Sequence, residues 1–101
     1  MTRLVVTVDA ESDISIILTH LEREAGLRTA ESYGHRFRDT IIRLVAFPES
    51  GAPRPALGEQ ARIAIVYPYV LFYDYHARND LLMLLRVLHG KAAITAKLMR
   101  R

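Results

Sequence analysis

Four histidines, a run of tyrosines and a basic C-terminal stretch are the side chains of this sequence with the widest chemical range. His20, His35, His76 and His89 contain no pair at the short spacing of a metal-binding helix motif. There is no cysteine, which removes disulfides, thiolate metal ligands and a cysteine nucleophile together. Serine, histidine and aspartate all occur, but nothing in their order gathers them into a triad. Gly51 and Gly58 lie in a proline-rich stretch with no following lysine, so no phosphate-binding loop is present. No metal and no cofactor is expected. Tyr67, Tyr69, Tyr73 and Tyr75 offer ring faces for stacking on bases. Tyrosines so placed also simply pack within a small sheet.

The charge is unevenly placed. From Arg86 to Arg101 the charged residues are Arg86, Lys91, Lys97, Arg100 and Arg101, all positive. The chain carries +3 in total, so residues 1–85 carry −2. A basic end on a near-neutral body suits an acidic partner, either a nucleic acid or a protein that holds one. It equally suits a solvated helix end. His89 sits at the junction, as a contact residue or as a structural hydrogen bond at a strand end.

These residues need a scaffold. A chain of 101 residues forms one domain with a modest core, which a partner covering apolar surface would help. Half the residues are hydrophobic and a quarter charged, which separates the chain from disordered sequences. The apolar start runs at once into Asp9, Glu11 and Asp13, unlike a signal peptide. The longest apolar stretch, Ile63 to Tyr73, is broken by Pro68 and too short to span a bilayer. The reading is a soluble cytoplasmic protein without membrane attachment.

Leu4 to Val8 is β-branched and apolar, a first strand. Asp9 can cap a helix whose first turn holds Glu11 and Asp13. Ile14, Ile17, Leu18, Leu21 and Ala25 form its apolar stripe, and Gly26 ends it. Thr29 can cap a second helix with Ala30, Tyr33, Phe37, Ile41, Leu44 and Val45 inward, closed by Phe47-Pro48. The short connection makes an antiparallel helical hairpin. Residues 48–60 hold three prolines and two glycines, which predicts a loop without regular elements. Strands follow over 62–66, 69–75 and 81–88, joined by Tyr67-Pro68 and by the polar turn 76–80. Such short turns make them antiparallel. Lys91 to Arg101 completes the chain as a short helix. The expected class is α+β: a single domain with an N-terminal strand, a helical hairpin, a three-stranded antiparallel meander in one sheet and a C-terminal helix.

The last strands do not alternate as a sheet with one wet face should. Leu81, Met83, Leu85 and Val87 lie on one face by strict alternation, and Leu82, Leu84, Arg86 and Leu88 on the other. Val70 and Phe72 oppose Leu71, Tyr73 and Tyr75 in the same way. A sheet apolar on both faces needs cover on the second one, from the final helix or from a partner chain.

The order of several short motifs resembles the ParE branch of the ParE/RelE toxins of bacterial type II toxin–antitoxin pairs. They are Ala10-Glu11-x-Asp13-Ile14-x-x-Ile17, then Gly26, Ala30 and Leu44-x-x-Phe47-Pro48-x-x-Gly51-x-Pro53-Arg54-Pro55. Tyr69-Val70-Leu71-Phe72-Tyr73 and Leu85-Arg86-Val87-Leu88-His89-Gly90-Lys91 complete them. The resemblance spans nearly the whole chain. It implies a helical hairpin on an antiparallel sheet, wrapped by a segment of a ParD-like antitoxin in a hetero-oligomer. The antitoxin would then lie against Leu82, Leu84 and Leu88 of the last strand and Leu71 and Tyr73 of its neighbour.

The resemblance also divides two activities. RelE-like members cut messenger RNA in the ribosome; ParE-like members bind and inhibit DNA gyrase and are not enzymes. Metal-free RNA cleavage must activate the 2′-hydroxyl, stabilise the phosphorane and protonate the leaving oxygen. RelE-like nucleases resemble one another in an arginine on the middle strand, another just after the last strand, and a tyrosine in the final helix. Here those positions fall at Val70, at Ala92 and near Leu98, and none can do that work. The implied function is therefore a gyrase-binding toxin, with the messenger-RNA nuclease and a degenerate toxin that only binds antitoxin as alternatives. Arg86, His89, Lys91, Lys97, Arg100 and Arg101 are the candidate target contacts, and no sequence-specific nucleic-acid binding is expected. Lys91 is followed by Ala92-Ala93-Ile94, where many relatives place further charged residues.

Overall fold

The computed structural model describes residues 1–91. The final helix expected from Lys91 onward, the candidate contacts Lys97, Arg100 and Arg101, and the Ala92 and Leu98 positions lie outside the described residues. Strand β1 spans Arg3–Val6 and runs almost directly into helix α1, Val8–Ala25. The cap is Thr7, two residues earlier than Asp9. Its backbone is extended and its hydroxyl accepts the Ala10 N–H at 3.1 Å. Asp9 and Glu11 fall in the first turn, where carboxylates complement the helix dipole. Gly26, at φ +95°, ends α1 and at once begins helix α2, Leu27–Ala46. The left-handed backbone a glycine tolerates makes the hairpin corner in one residue, so α2 starts before Thr29.

The loop over 48–60 contains more order than its prolines suggest. Strand β2, Ala52–Pro53, pairs antiparallel with Ile63 and Arg62, and Pro55–Leu57 forms a 3-10 turn. Proline is tolerated there because β2 is the sheet's outermost strand. Strands β3 (Ala61–Val66), β4 (Tyr69–His76) and β5 (Leu81–His89) form the expected meander. The sheet order is β1-β5-β4-β3-β2, and β1 lies parallel to β5. The sheet is thus mixed rather than wholly antiparallel, because the helical hairpin carries the chain away before the meander returns β5 to β1's side. The domain is α+β.

One irregularity decides which residues face the helices. Phe72 pairs with Arg86 but Tyr73 pairs with Leu84, so Leu85 is an extra residue in β5. This β-bulge resets the alternation. Leu82, Leu84 and Val87 all point under the helices, at 1%, 0% and 1% exposure. They join Leu71, Tyr73, Phe37 and Leu44 in the core, with Ile14, Ile17, Leu18 and Leu21 of α1 packed against it. Each such aliphatic side chain contributes about 1.5–3 kcal/mol by burial.

Four of the expected antitoxin contacts are therefore corrected. Leu82, Leu84, Leu71 and Tyr73 are core residues, sealed beneath the hairpin. Strict alternation assigned Leu88 to their face; the bulge separates it, and it stays half-buried. Tyr73 has a further structural duty. Its hydroxyl donates to Pro48 O at 2.8 Å and accepts the Gly51 N–H at 2.9 Å. Gly51 has no room for a side chain, because a Cβ there would run into the Tyr73 hydroxyl and the Ile63 carbonyl. The opposite, open face of the sheet carries Ile63, Val70, Met83 and Leu85, all half-buried, and Ile65, which is exposed.

Candidate docking groove

Strand β1 ends beside the middle of β5, and the remainder of β5 has a helix for its neighbour. Thr7 N–H donates to Leu84 O at 3.1 Å, and Thr7 Oγ1 donates to Leu85 O at 3.0 Å. There the parallel ladder stops. The chain turns into α1, whose next full turn brings Asp13 against the edge of β5. Asp13 Oδ2 accepts the Val87 N–H at 2.9 Å, standing in for the next strand of the sheet. The same carboxylate holds Arg86 in a fork, with Nε at 2.7 Å and Nη2 at 3.0 Å. Both partners are largely buried, Arg86 at 24% and Asp13 at 12% side-chain exposure. The hydrogen bonds it donates to Asp13, which outweigh the opposing cost of burial, push the Arg86 guanidinium further above its usual pKa.

Past this clamp, α1 and β5 diverge into a cleft of about 370 Å³. Asp13, Ile16, Ile17 and His20 line it from α1, Tyr69 from β4, and Val87, Leu88 and His89 from β5. Ile16 is 65% exposed, a large apolar side chain at the groove's rim. Tyr69 is almost buried and meets His89 edge-on, with ring centroids 5.7 Å apart. Burial, and next the neighbouring Tyr33, raise the Tyr69 phenol above its usual pKa, so it remains neutral. His89 Nδ1 accepts the Lys91 N–H at 3.1 Å, which places the proton of the neutral ring on Nε2.

The groove presents an apolar floor with imidazoles at its margin. Its single carboxylate is already engaged by Arg86 and Val87. Such a surface favours an apolar anchor, with a carboxylate preferred to a cation beside the histidines. Among the described residues, no group of three or more His, Cys, Asp or Glu side chains could hold a metal ion.

The expected contact residues distribute unevenly. His89 lines the groove, and Lys91 lies exposed just beyond it. Arg86 is turned inward onto Asp13. Leu88 lines the groove, the one expected antitoxin contact left partly accessible. His35 is exposed on α2, and His76 lies 3.8 Å from Asp74. Tyr69 and Tyr73 are packed inside, while Tyr67 is exposed. Asp13, Ile16, Ile17 and His20 were not singled out as site residues. A signal was present in Ile16-Ile17-Leu18: three adjacent apolar residues spread over about 200° of a helix, wider than one core-facing stripe, so an apolar side chain is left over.

No curated protein sequence matches the chain. The family described as "ParE toxin of type II toxin-antitoxin system, parDE" matches over residues 4–94. A solved structure described as "Chromosomal ParDE TA system from P. aeruginosa" shares the fold, with a TM-score of 0.73 and 20% identity. That similarity covers 88% of this chain and 96% of the other. Among the described residues, no helix is long and apolar enough to cross a membrane.

Proposed function

We propose, since the chain belongs to the ParE family of toxins, that it is the toxin of a type II toxin–antitoxin pair, acting in the cytoplasm by binding DNA gyrase. A ParD-like antitoxin neutralises it, with an apolar segment seated between α1 and the end of β5. The observation that carries this reading is the groove itself. A small domain leaves Ile16, Leu88 and His89 around one apolar cleft, beside a strand whose edge is finished by a side chain. The P. aeruginosa structure is, by its description, of a ParDE system, and its partner type is carried to this chain as part of the proposal.

Binding rather than catalysis suits the residues present. Val70 stands on β4 where the related ribonucleases resemble one another in an arginine, and it brings no charge to a phosphorane. Arg62, the nearest strand arginine by sequence, donates to the Glu49 and Gly51 carbonyls, and Arg86 is committed to Asp13. The test is to induce the chain alone and follow plasmid supercoiling, the DNA-damage response and transcript integrity together. The expected result is altered supercoiling and a damage response with transcripts intact. Rapid message cleavage with normal supercoiling would give the function to the ribonuclease branch. Growth without any of these effects would leave a protein that only binds antitoxin.

A further inference from the structure

We propose that the outer edge of β1 is a self-association surface, on which two copies of this chain pair β1 with β1 antiparallel about a two-fold axis at Val5. The inference is independent of the gyrase reading and of the α1–β5 groove.

Among the described residues, β1 is the last strand of the sheet on its side. Leu4, Val5 and Val6 are 40%, 41% and 37% exposed, although all three are aliphatic. Edge strands are commonly protected by a proline, a bulge or an inward lysine, and Arg3–Val6 has none of these. β1 is short and carries Arg3, which are safeguards of another kind, but its other three residues present an apolar edge that can template another strand.

The backbone selects the register. Arg3 N–H donates to Asp80 O at 2.9 Å and Thr7 N–H to Leu84 O at 3.1 Å. Alternation along the strand therefore turns the N–H and C=O of Leu4 and Val6 outward. Within Arg3–Val6, one two-fold register engages both outward residues of both copies: Leu4 opposite Val6 of the second copy, and Val5 opposite its own symmetry mate. Every outward peptide group of the strand is then paired, and the facing side chains are aliphatic, with β-branched Val5 and Val6 among them, which favours cross-strand packing.

Charge permits the same register. Arg3 is the strand's single charge; it shares with Val5 the face away from the hairpin, and the register sets it opposite Thr7 of the second copy rather than opposite the second Arg3. Leu4 and Val6 share the helix side with Leu82 and Leu84, their neighbours in register. The pairing thus keeps both hairpins on one side and joins the two sheets into one. A contact on four residues per copy is small compared with a permanent interface, so the dimer forms and dissociates with concentration.

The test uses the full chain made by cell-free synthesis. Sedimentation across two decades of concentration is expected to show a monomer–dimer equilibrium. The chain has no native cysteine, so Val5→Cys is a clean probe. Facing non-hydrogen-bonded residues lie about 4.5 Å apart at Cα, within disulfide range. Under mild oxidation Val5→Cys should cross-link to dimer at least roughly tenfold faster than Arg28→Cys on exposed α2, because a held pair has an effective concentration in the millimolar range. Val6→Pro removes an outward donor without touching the β1–β5 ladder, and should abolish the dimer while leaving the melting profile in place. A monomer at all concentrations, or equal cross-linking at positions 5 and 28, overturns the proposal. So does a dimer that survives Val6→Pro.

Discussion

The two halves of β5 solve the same problem differently. Leu81 to Leu84 has a strand on each side, β4 and the parallel β1, and its Leu82 and Leu84 are sealed in the core. Arg86 to His89 keeps β4 but has no second strand among the described residues. One carboxylate, Asp13, satisfies Val87 there, and the remaining space is an apolar groove. The bulge at Leu85 marks the boundary between them. The first half is stability, built from backbone ladder and buried area. The second half gives up a neighbouring strand and gains an apolar groove, the surface proposed for the antitoxin. A buried ion pair is weak evidence for stability in itself. Here its role is to finish a strand edge that would otherwise leave a peptide group unpaired.

Substitutions test this contrast, from the largest effect to the smallest. Leu84→Ala, in the first half, should cost about 3 kcal/mol by cavity formation, read from urea unfolding of the purified chain. An equal loss from Leu88→Ala would erase the distinction between the halves. Asp13→Ala should cost about 2 kcal/mol, since it strands the Val87 N–H and the Arg86 guanidinium together. Replacing both charges, as Asp13→Leu with Arg86→Met, should recover part of that loss. If it recovers none, the Val87 bond matters more than the ion pair.

Ile16→Glu should leave stability within about 0.5 kcal/mol, because its side chain is mostly exposed. It should weaken binding of a co-expressed antitoxin by about tenfold or more, measured by titration calorimetry. Unchanged affinity would move the antitoxin to the open sheet face.

The smallest effect is acid-dependent. Hydrogen bonds from Thr2 and then Tyr75 hold the Asp80 carboxyl below its usual pKa. The unfolded chain then takes up that proton first on acidification. The stability due to Asp80 is present at neutral pH and is lost as pH falls through and below the ordinary carboxylate range. Asp80→Asn should lack this loss, so its denaturation midpoint should converge with that of the unmodified chain at low pH. Parallel curves would mean that Asp80 contributes nothing through its charge.

The hairpin was legible because its stripes repeat at helical spacing, and the meander because its turns are short. The helix starts were less so. Asp9 and Thr7 are both good capping residues, and only the placement of β1 against β5 shows that Thr7 is where the ladder ends. The contact residues suffered most. Parity along β5 assigned Leu82, Leu84 and Leu88 to one face, but a single extra residue at Leu85 breaks parity, and no local pattern announces it. Arg86 looked available from its place in a basic stretch; its partner lies 73 positions away.

By itself the sequence determined the family, the α+β class, the helical hairpin, and a last strand with too many apolar residues for a one-faced sheet. These follow from local periodicity, turn chemistry and the order of short motifs, all of which are properties of neighbours along the chain. Only the tertiary structure decided which apolar face is the core, which strand lies beside β5, and which arginine is already held. Those depend on register and on pairings between residues far apart in the chain, where one bulge or one carboxylate outweighs every local preference.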